Sequence, residues 1–161
     1  IACNVSHFID LIMYWTGEKP IRIDTNNLET KWIDAKRPSF YEINGILIIK
    51  FSGGSLLTLT SGRKAKKSFI SGNSLNKSSK KFKIDEVNGI ATIFENAKLT
   101  GTMPLQSTMT GHLLDSFIDR GTCDLTTLHE ATIGYELVIK ALGDHWNTYS
   151  NKPFMKEIPI T

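Results

Sequence analysis

Cysteine is scarce in this sequence. Cys3 and Cys123 are the only two in 161 residues, and they stand far apart with no CxxC spacing. That count excludes a disulfide framework and a zinc-ribbon type of site, and both thiols are read as reduced, with Cys123 in the core. Long apolar runs are missing as well: no stretch approaches the roughly 20 residues that cross a bilayer. Nor does a basic segment, apolar run and cleavage site open the chain as in a signal peptide. These absences predict a soluble, cytoplasmic protein with no membrane partner. Glycine-rich phosphate cradles are absent too. Neither GxGxxG nor GxxxxGKS/T occurs, so no nucleotide cofactor site is expected within this chain. No internal repeat points to a solenoid or propeller. The four histidines form no HxxxH or HxH pair, and no metal site is expected.

What is present fits one substantial core. With 40% hydrophobic residues over 161 positions, the length falls in the range of a single domain, read as residues 1–161. The chain opens on Ile1, and the apolar residues 1–3 run straight into a helix signal, so the sequence reads as a fragment beginning inside a fold. Ser6 is a good N-cap, and Phe8, Leu11, Ile12 and Trp15 recur at helical spacing before Gly17 stops the helix and Pro20 prevents its resumption. Residues 21–24 alternate like a strand, Asn26-Asn27 resembles a turn, and a loop or strand surrounds Trp32.

The strongest β signal is the pair of runs 45–51 and 55–61 joined by Ser52-Gly53-Gly54, which specifies a hairpin. In its second arm Leu57 and Leu59 share one face, while Leu56, Thr58 and Thr60 share the other, so one side is the more apolar. Residues 63–81 read as a polar loop rich in Lys, Ser, Gly and Asn. Strand patterns return at 82–84, 89–94 and 97–100. Leu113, Leu114, Phe117 and Ile118 fit a helix closed by Gly121. A longer helix starts at the capping box of Thr127 and Glu130 and runs towards Leu142, with Gly143 at its far end. Helix, strands, then two helices is the order of an α+β domain and not of alternating βαβ units.

The segment Cys3-Asn4-Val5-Ser6-His7-Phe8-Ile9-Asp10-Leu11 resembles the HxxD-containing opening of the C-terminal domain of the Gfo/Idh/MocA oxidoreductase family. The strand pair around residues 53–55, the Phe-Glu-Asn at 94–96 and the helix, Gly121, helix ending follow in that family's order, over about residues 1–147. The resemblance implies a large, mostly antiparallel open sheet with helices packed on one face, as in the C-terminal domain of glyceraldehyde-3-phosphate dehydrogenase. It implies an open sheet face used for homo-oligomers. A separate N-terminal Rossmann domain, absent from this chain, would bind NAD or NADP and supply a catalytic lysine. The substrate implied is a small-molecule carbohydrate: a sugar, nucleotide-sugar or polyol. Gly17-Glu18-Lys19-Pro20 contains the letters of the family's EKP motif but leaves a helix at its C-cap, and is read as a turn.

By the same resemblance His7 is the catalytic candidate, placed near the reacting carbon, where an imidazole titrating near neutrality binds the hydroxyl or exchanges its proton. Cys3, Asn4 and Asp10 are the substrate-binding candidates. Many members carry an acid where Cys3 stands, so His7 reads better as a substrate contact than as a general base. Asp10 lies one helical turn beyond His7; it either shares that face or serves as an early-turn acid favoured by the helix dipole. Trp32 and Tyr41 are candidates for stacking on a sugar, or are packing residues.

One feature belongs to none of this. Between Arg63 and Lys83 lie eight basic residues and no acid, in a chain whose net charge is +3. The alternative reading is a non-catalytic α+β dimerisation module that binds an anionic partner through residues 63–83. Only Phe69 and Phe82 accompany the lysines, and no nucleic-acid-binding signature surrounds them, so nucleic acid is not an expected partner. Solvated loop and lysine-protected strand edge explain the charge without a partner.

Overall fold

The computed structural model describes residues 1–2, 4–62, 70–73, 81–85, 88–94, 98–102, 106–123, 125–151 and 159–160. The elements in order are α1 (Val5–Thr16), β1 (Pro20–Leu28), β2 (Ile33–Asp34), β3 (Tyr41–Glu42), β4 (Gly45–Phe51), β5 (Leu56–Ser61), β6 (Ile70–Asn73), β7 (Lys81–Asp85), β8 (Ile90–Phe94), β9 (Lys98–Thr102), α2 (Gln106–Arg120) and α3 (Leu128–Tyr149). The fold is α+β, with antiparallel sheets and helices. Among the described residues the strands form sheets in the orders β1-β4-β5, β2-β3 and β6-β7-β8-β9. Two compact units result: residues 1–63 with 126–161, and residues 64–125. No helix among the described residues is long and apolar enough to cross a membrane.

In the first unit the hairpin is as the two apolar runs predict. Leu47 faces Leu59 and Ile49 faces Leu57 across the β4-β5 ladder, and Leu47, Ile49, Phe51 and Leu57 are buried. On the other face Ile46, Leu56, Thr58 and Thr60 are exposed. Val5 and Ile9 of α1 and Val138 and Leu142 of α3 join the buried face in one core. Each such side chain removed from water contributes about 1.5–3 kcal/mol. Gly45 is needed where it stands. Its φ is +117°, and a Cβ there would meet the Asn27 carbonyl oxygen at 2.6 Å, so any side chain would force β1 and β4 apart.

Several local expectations are corrected. The first helix begins at Val5 with Asn4 as N-cap, not at Ser6, which is buried inside the first turn. The turn is already formed upstream, because the Asn4 and Val5 N–H groups both donate to the Ile1 carbonyl, at 3.2 and 3.1 Å. Gly17 does end the helix, in the left-handed conformation, with its N–H donating to the Met13 carbonyl at 2.8 Å. Asn26-Asn27 is not a turn. β1 runs through it, and its register against β4 slips between Asp24 and Asn27, leaving Thr25 and Asn26 opposite Leu47 alone as a bulge. Gly143 does not end α3, which continues to Tyr149, because Trp146, one turn further on, is buried at 2% exposure and holds the helix against the core. Cys123 is half-buried and not core.

Glu18, in the segment sharing letters with the EKP motif, clamps the hairpin turn. Its carboxylate accepts hydrogen bonds from the Gly53 N–H at 3.1 Å, the Ser55 N–H at 3.1 Å and the Ser55 hydroxyl at 2.9 Å. In the second unit β6 falls inside the segment expected as a loop, because its backbone pairs with β7 from Ile70–Ile84 to Asn73–Lys81. The remainder of the basic segment, 63–69 and 74–80, lies outside the described residues. α2 ends as expected at Gly121, whose N–H donates to the Phe117 carbonyl at 2.9 Å.

Candidate functional site

The N-cap and first two turns of α1 carry three of the four candidate residues. Asn4 is the N-cap by position, but its backbone is helical (φ −108°, ψ −6°) and its side chain makes no capping bond, so the amide remains exposed at the helix start. His7 follows, also exposed, and Asp10 comes next, half-buried. The 3.6-residue turn places His7 and Asp10 on adjoining positions of one helix flank. Cys3 lies outside the described residues.

Asp10 shows what surrounds this corner. Burial pushes its carboxyl above the ordinary carboxylate value; the neighbouring His7 pulls it down, and Glu130 of α3 pushes it up again. The acid therefore lies within electrostatic reach of an imidazole on its own helix and a carboxylate from a residue 120 positions later in the chain. Two features bring Glu130 there. The capping box forms as expected: the Thr127 hydroxyl accepts from the Glu130 N–H at 3.3 Å, while the Glu130 carboxylate accepts from the Thr127 N–H at 2.9 Å and its hydroxyl at 2.6 Å. Those bonds hold the Glu130 carboxyl below its ordinary value, with a smaller pull from His129. One turn on, Gly134 lets α3 approach α1 so closely that a Cβ on it would stand 2.9 Å from Ile9 Cγ2.

Chemically, this corner presents an imidazole and an uncapped amide at the surface, backed by a carboxyl group that retains its proton to higher pH than usual. Such a set both donates and accepts hydrogen bonds, the chemistry that a hydroxyl-bearing molecule needs. No group of three His, Cys, Asp or Glu residues suited to a metal ion occurs among the described residues.

The other candidates go elsewhere. His112 and His129 are exposed on α2 and α3. Trp32 and Tyr41 pack and do not stand free: Trp32 meets the rings of His145 and Trp146 at 5.8 and 5.0 Å, both edge-on, and Tyr41 meets Trp146 at 5.1 Å. His145 is buried at 4% exposure and also contacts Tyr149 at 4.7 Å. Among the described residues, neither ring nitrogen of His145 has a hydrogen-bond partner, nor do the indole nitrogens of Trp32 and Trp146. The sequence signal for this cluster is the His145-Trp146 pair near the end of a helix whose preceding apolar positions recur every four residues.

No family model matches the chain, and no curated protein sequence matches it. The class defined by the fold is that of an α+β unit with antiparallel sheets and helices, and a dehydrogenase of known structure shares it. The solved structure of UDP-N-acetylglucosamine 3-dehydrogenase GnnA from Acidithiobacillus ferrooxidans matches with a TM-score of 0.53 at 13% identity, over 86% of this chain and 43% of that chain. The chain thus spans less than half the length of the structure it matches, and at that identity the likeness establishes the fold alone.

Proposed function

We propose that this chain is the substrate-binding and dimerising part of an NAD(P)-dependent oxidoreductase of the Gfo/Idh/MocA family, acting on a hydroxyl or carbonyl of a sugar, nucleotide-sugar or polyol. The observation that carries this reading is the fold likeness to a nucleotide-sugar dehydrogenase, in a chain whose α1 opens with the HxxD spacing of His7 and Asp10. His7 and Asn4 hydrogen-bond substrate hydroxyls beside the reacting carbon, and Asp10 supports the His7 ring from one turn behind. Homo-oligomers form through the open face of the β1-β4-β5 sheet, where Ile46 and Leu56 are exposed.

The described residues do not fit a dinucleotide. Every ladder between the named strands is antiparallel, and among the described residues no strand, glycine-rich turn and helix unit is present to receive a pyrophosphate at a helix N-terminus. The nicotinamide is therefore assigned to a Rossmann domain joined to this one, and the chain alone is inactive.

The test is an NAD(P)-linked assay, on UDP-N-acetylglucosamine and simple polyols, of a protein in which this chain is joined to its dinucleotide domain. Loss of one hydrogen bond to a reacting hydroxyl predicts that His7→Ala lowers kcat/KM by about 10- to 100-fold. Unchanged kcat and KM would remove His7 from the site, and NAD(P) binding by the chain alone would overturn the division of labour.

A further inference from the structure

At the opposite end of α3 from the Asp10–Glu130 corner, a cleft of about 220 Å³ opens between the bulged half of β1 and the last two turns of the helix. The two places are about 20 Å apart along α3, at 1.5 Å per residue. Both walls belong to the first compact unit. We infer that this cleft is a second ligand site, for a neutral polyhydroxylated molecule the size of one sugar ring.

Two observations carry the inference. The first is the strand. Its register slip places Thr25 and Asn26 opposite Leu47 alone, and the Asp24 carboxylate accepts from the Asn26 N–H at 3.0 Å to hold the bulge. A bulge frees backbone and side-chain polar groups from regular pairing and re-aims them, and bulges concentrate beside binding sites. Here the re-aimed residues line the cleft.

The second is the lining itself. Hydroxyls come from Thr25, Thr30 and Thr148, an amide from Asn26 and a carboxylate from Asp144, while Tyr149 supplies a half-exposed aromatic ring. Thr148 already donates its hydroxyl proton to the Asp144 carbonyl at 2.8 Å, which leaves its lone pairs free to accept. Among the described residues no lysine or arginine lines the cleft, so phosphates and nucleotides find no countercharge. A sugar ring suits the set: its hydroxyls donate to the carboxylate and exchange bonds with the amide and threonines, and its C–H face rests on the tyrosine. The volume equals that of about seven waters at ~30 Å³ each, which is room to seat one sugar ring.

His145 forms part of the cleft wall, but it is 4% exposed and both of its ring nitrogens are buried beneath that wall. Ligand contacts therefore fall to the other lining residues. The His145 ring instead links the cleft to Trp32, which it meets at 5.8 Å.

The inference does not depend on the reading of His7, and one experiment separates them. The full chain is titrated with glucose and with N-acetylglucosamine, with choline and inorganic phosphate as contrasting probes. Tryptophan fluorescence is the readout, since Trp32 and Trp146 sit against His145 and its ring contacts. Asn26, Asp144 and Tyr149 are exposed, so their variants keep the core. Saturable binding of a neutral sugar with a Kd on the order of millimolar is expected. The affinity should be weakened at least about tenfold by Asp144→Asn and by Asn26→Ala, and be unaffected by Lys98→Ala on exposed β9 of the second unit. The inference is overturned by no saturable response up to about 100 mM sugar, by affinity unchanged in both cleft variants, or by choline or phosphate binding more tightly than either sugar.

Discussion

The backbone of Gly134 lies directly against the side chain of Ile9, with room between α3 and α1 for no atom larger than hydrogen on the glycine: a Cβ would stand 2.9 Å from Ile9 Cγ2. Ile9 is fully buried and cannot swing away. Alanine at 134 would gain helix propensity worth about 1 kcal/mol, but the overlap costs about 1–3 kcal/mol. Gly134→Ala is therefore expected to destabilise the chain by up to about 2 kcal/mol in urea unfolding. Ile9→Leu removes the Cγ2 methyl that Gly134 faces. The double variant should accordingly be more stable than the sum of the two single changes, and simple additivity would show that the contact is not what limits the approach of the helices.

The Asp10 carboxyl is predicted to titrate above its ordinary value of 3.8, chiefly because it is partly buried. Its two charged neighbours act in opposite senses. Glu130→Gln should lower the Asp10 midpoint and His7→Ala should raise it, read by carboxyl-carbon NMR. Glutamine at N3 keeps the capping box with Thr127, so the start of α3 survives the change. Because the folded-state pKa is raised, the folded chain binds the proton more tightly, and this group's contribution to stability is lost as pH rises from 3.8 through the raised value. Identical midpoints in both variants would separate Glu130 and His7 from this corner.

His145 has the reverse linkage. Burial lowers its pKa in the folded chain below the ordinary 6.5, so below that pH the unfolded chain binds a proton that the folded chain refuses. Stability should be constant above about pH 7 and fall as pH drops through 6.5, by at most about 1.4 kcal/mol per pH unit, until the folded-state pKa is reached. His145→Phe keeps a ring against Trp32 and Tyr149 and should flatten that part of the curve. An equally steep decline in the variant would assign it to other groups.

The candidate site was half legible before folding is considered. His7 and Asp10 are three residues apart inside an apolar repeat, and that spacing alone puts them on one flank of a helix. Glu130 is recognisable as the acid of a capping box, yet nothing near it in the chain says that it reaches Asp10. That neighbourhood depends on Gly134 meeting Ile9 across 125 positions, which no local pattern encodes. His145 was likewise visible only as one more histidine; its burial between two aromatic rings comes from Trp32 and Tyr149 meeting it near the end of α3.

By itself, then, the sequence determined the features that neighbours along the chain decide: the α+β order, the hairpin at 45–61 with its apolar face, the Gly17 and Gly121 helix stops and the Thr127–Glu130 box. Each rests on a backbone preference or on an alternation that acts within a few residues. Tertiary structure decided the rest. α3 passes through Gly143 because burying Trp146 outweighs the roughly 1 kcal/mol penalty of a helical glycine. β1 passes through Asn26-Asn27 because pairing with β4 outweighs their turn preference, with a bulge absorbing the mismatch. Ser6 is buried instead of capping because the chain before it had already turned. In each case a weak local preference yielded to a larger long-range gain in packing or pairing.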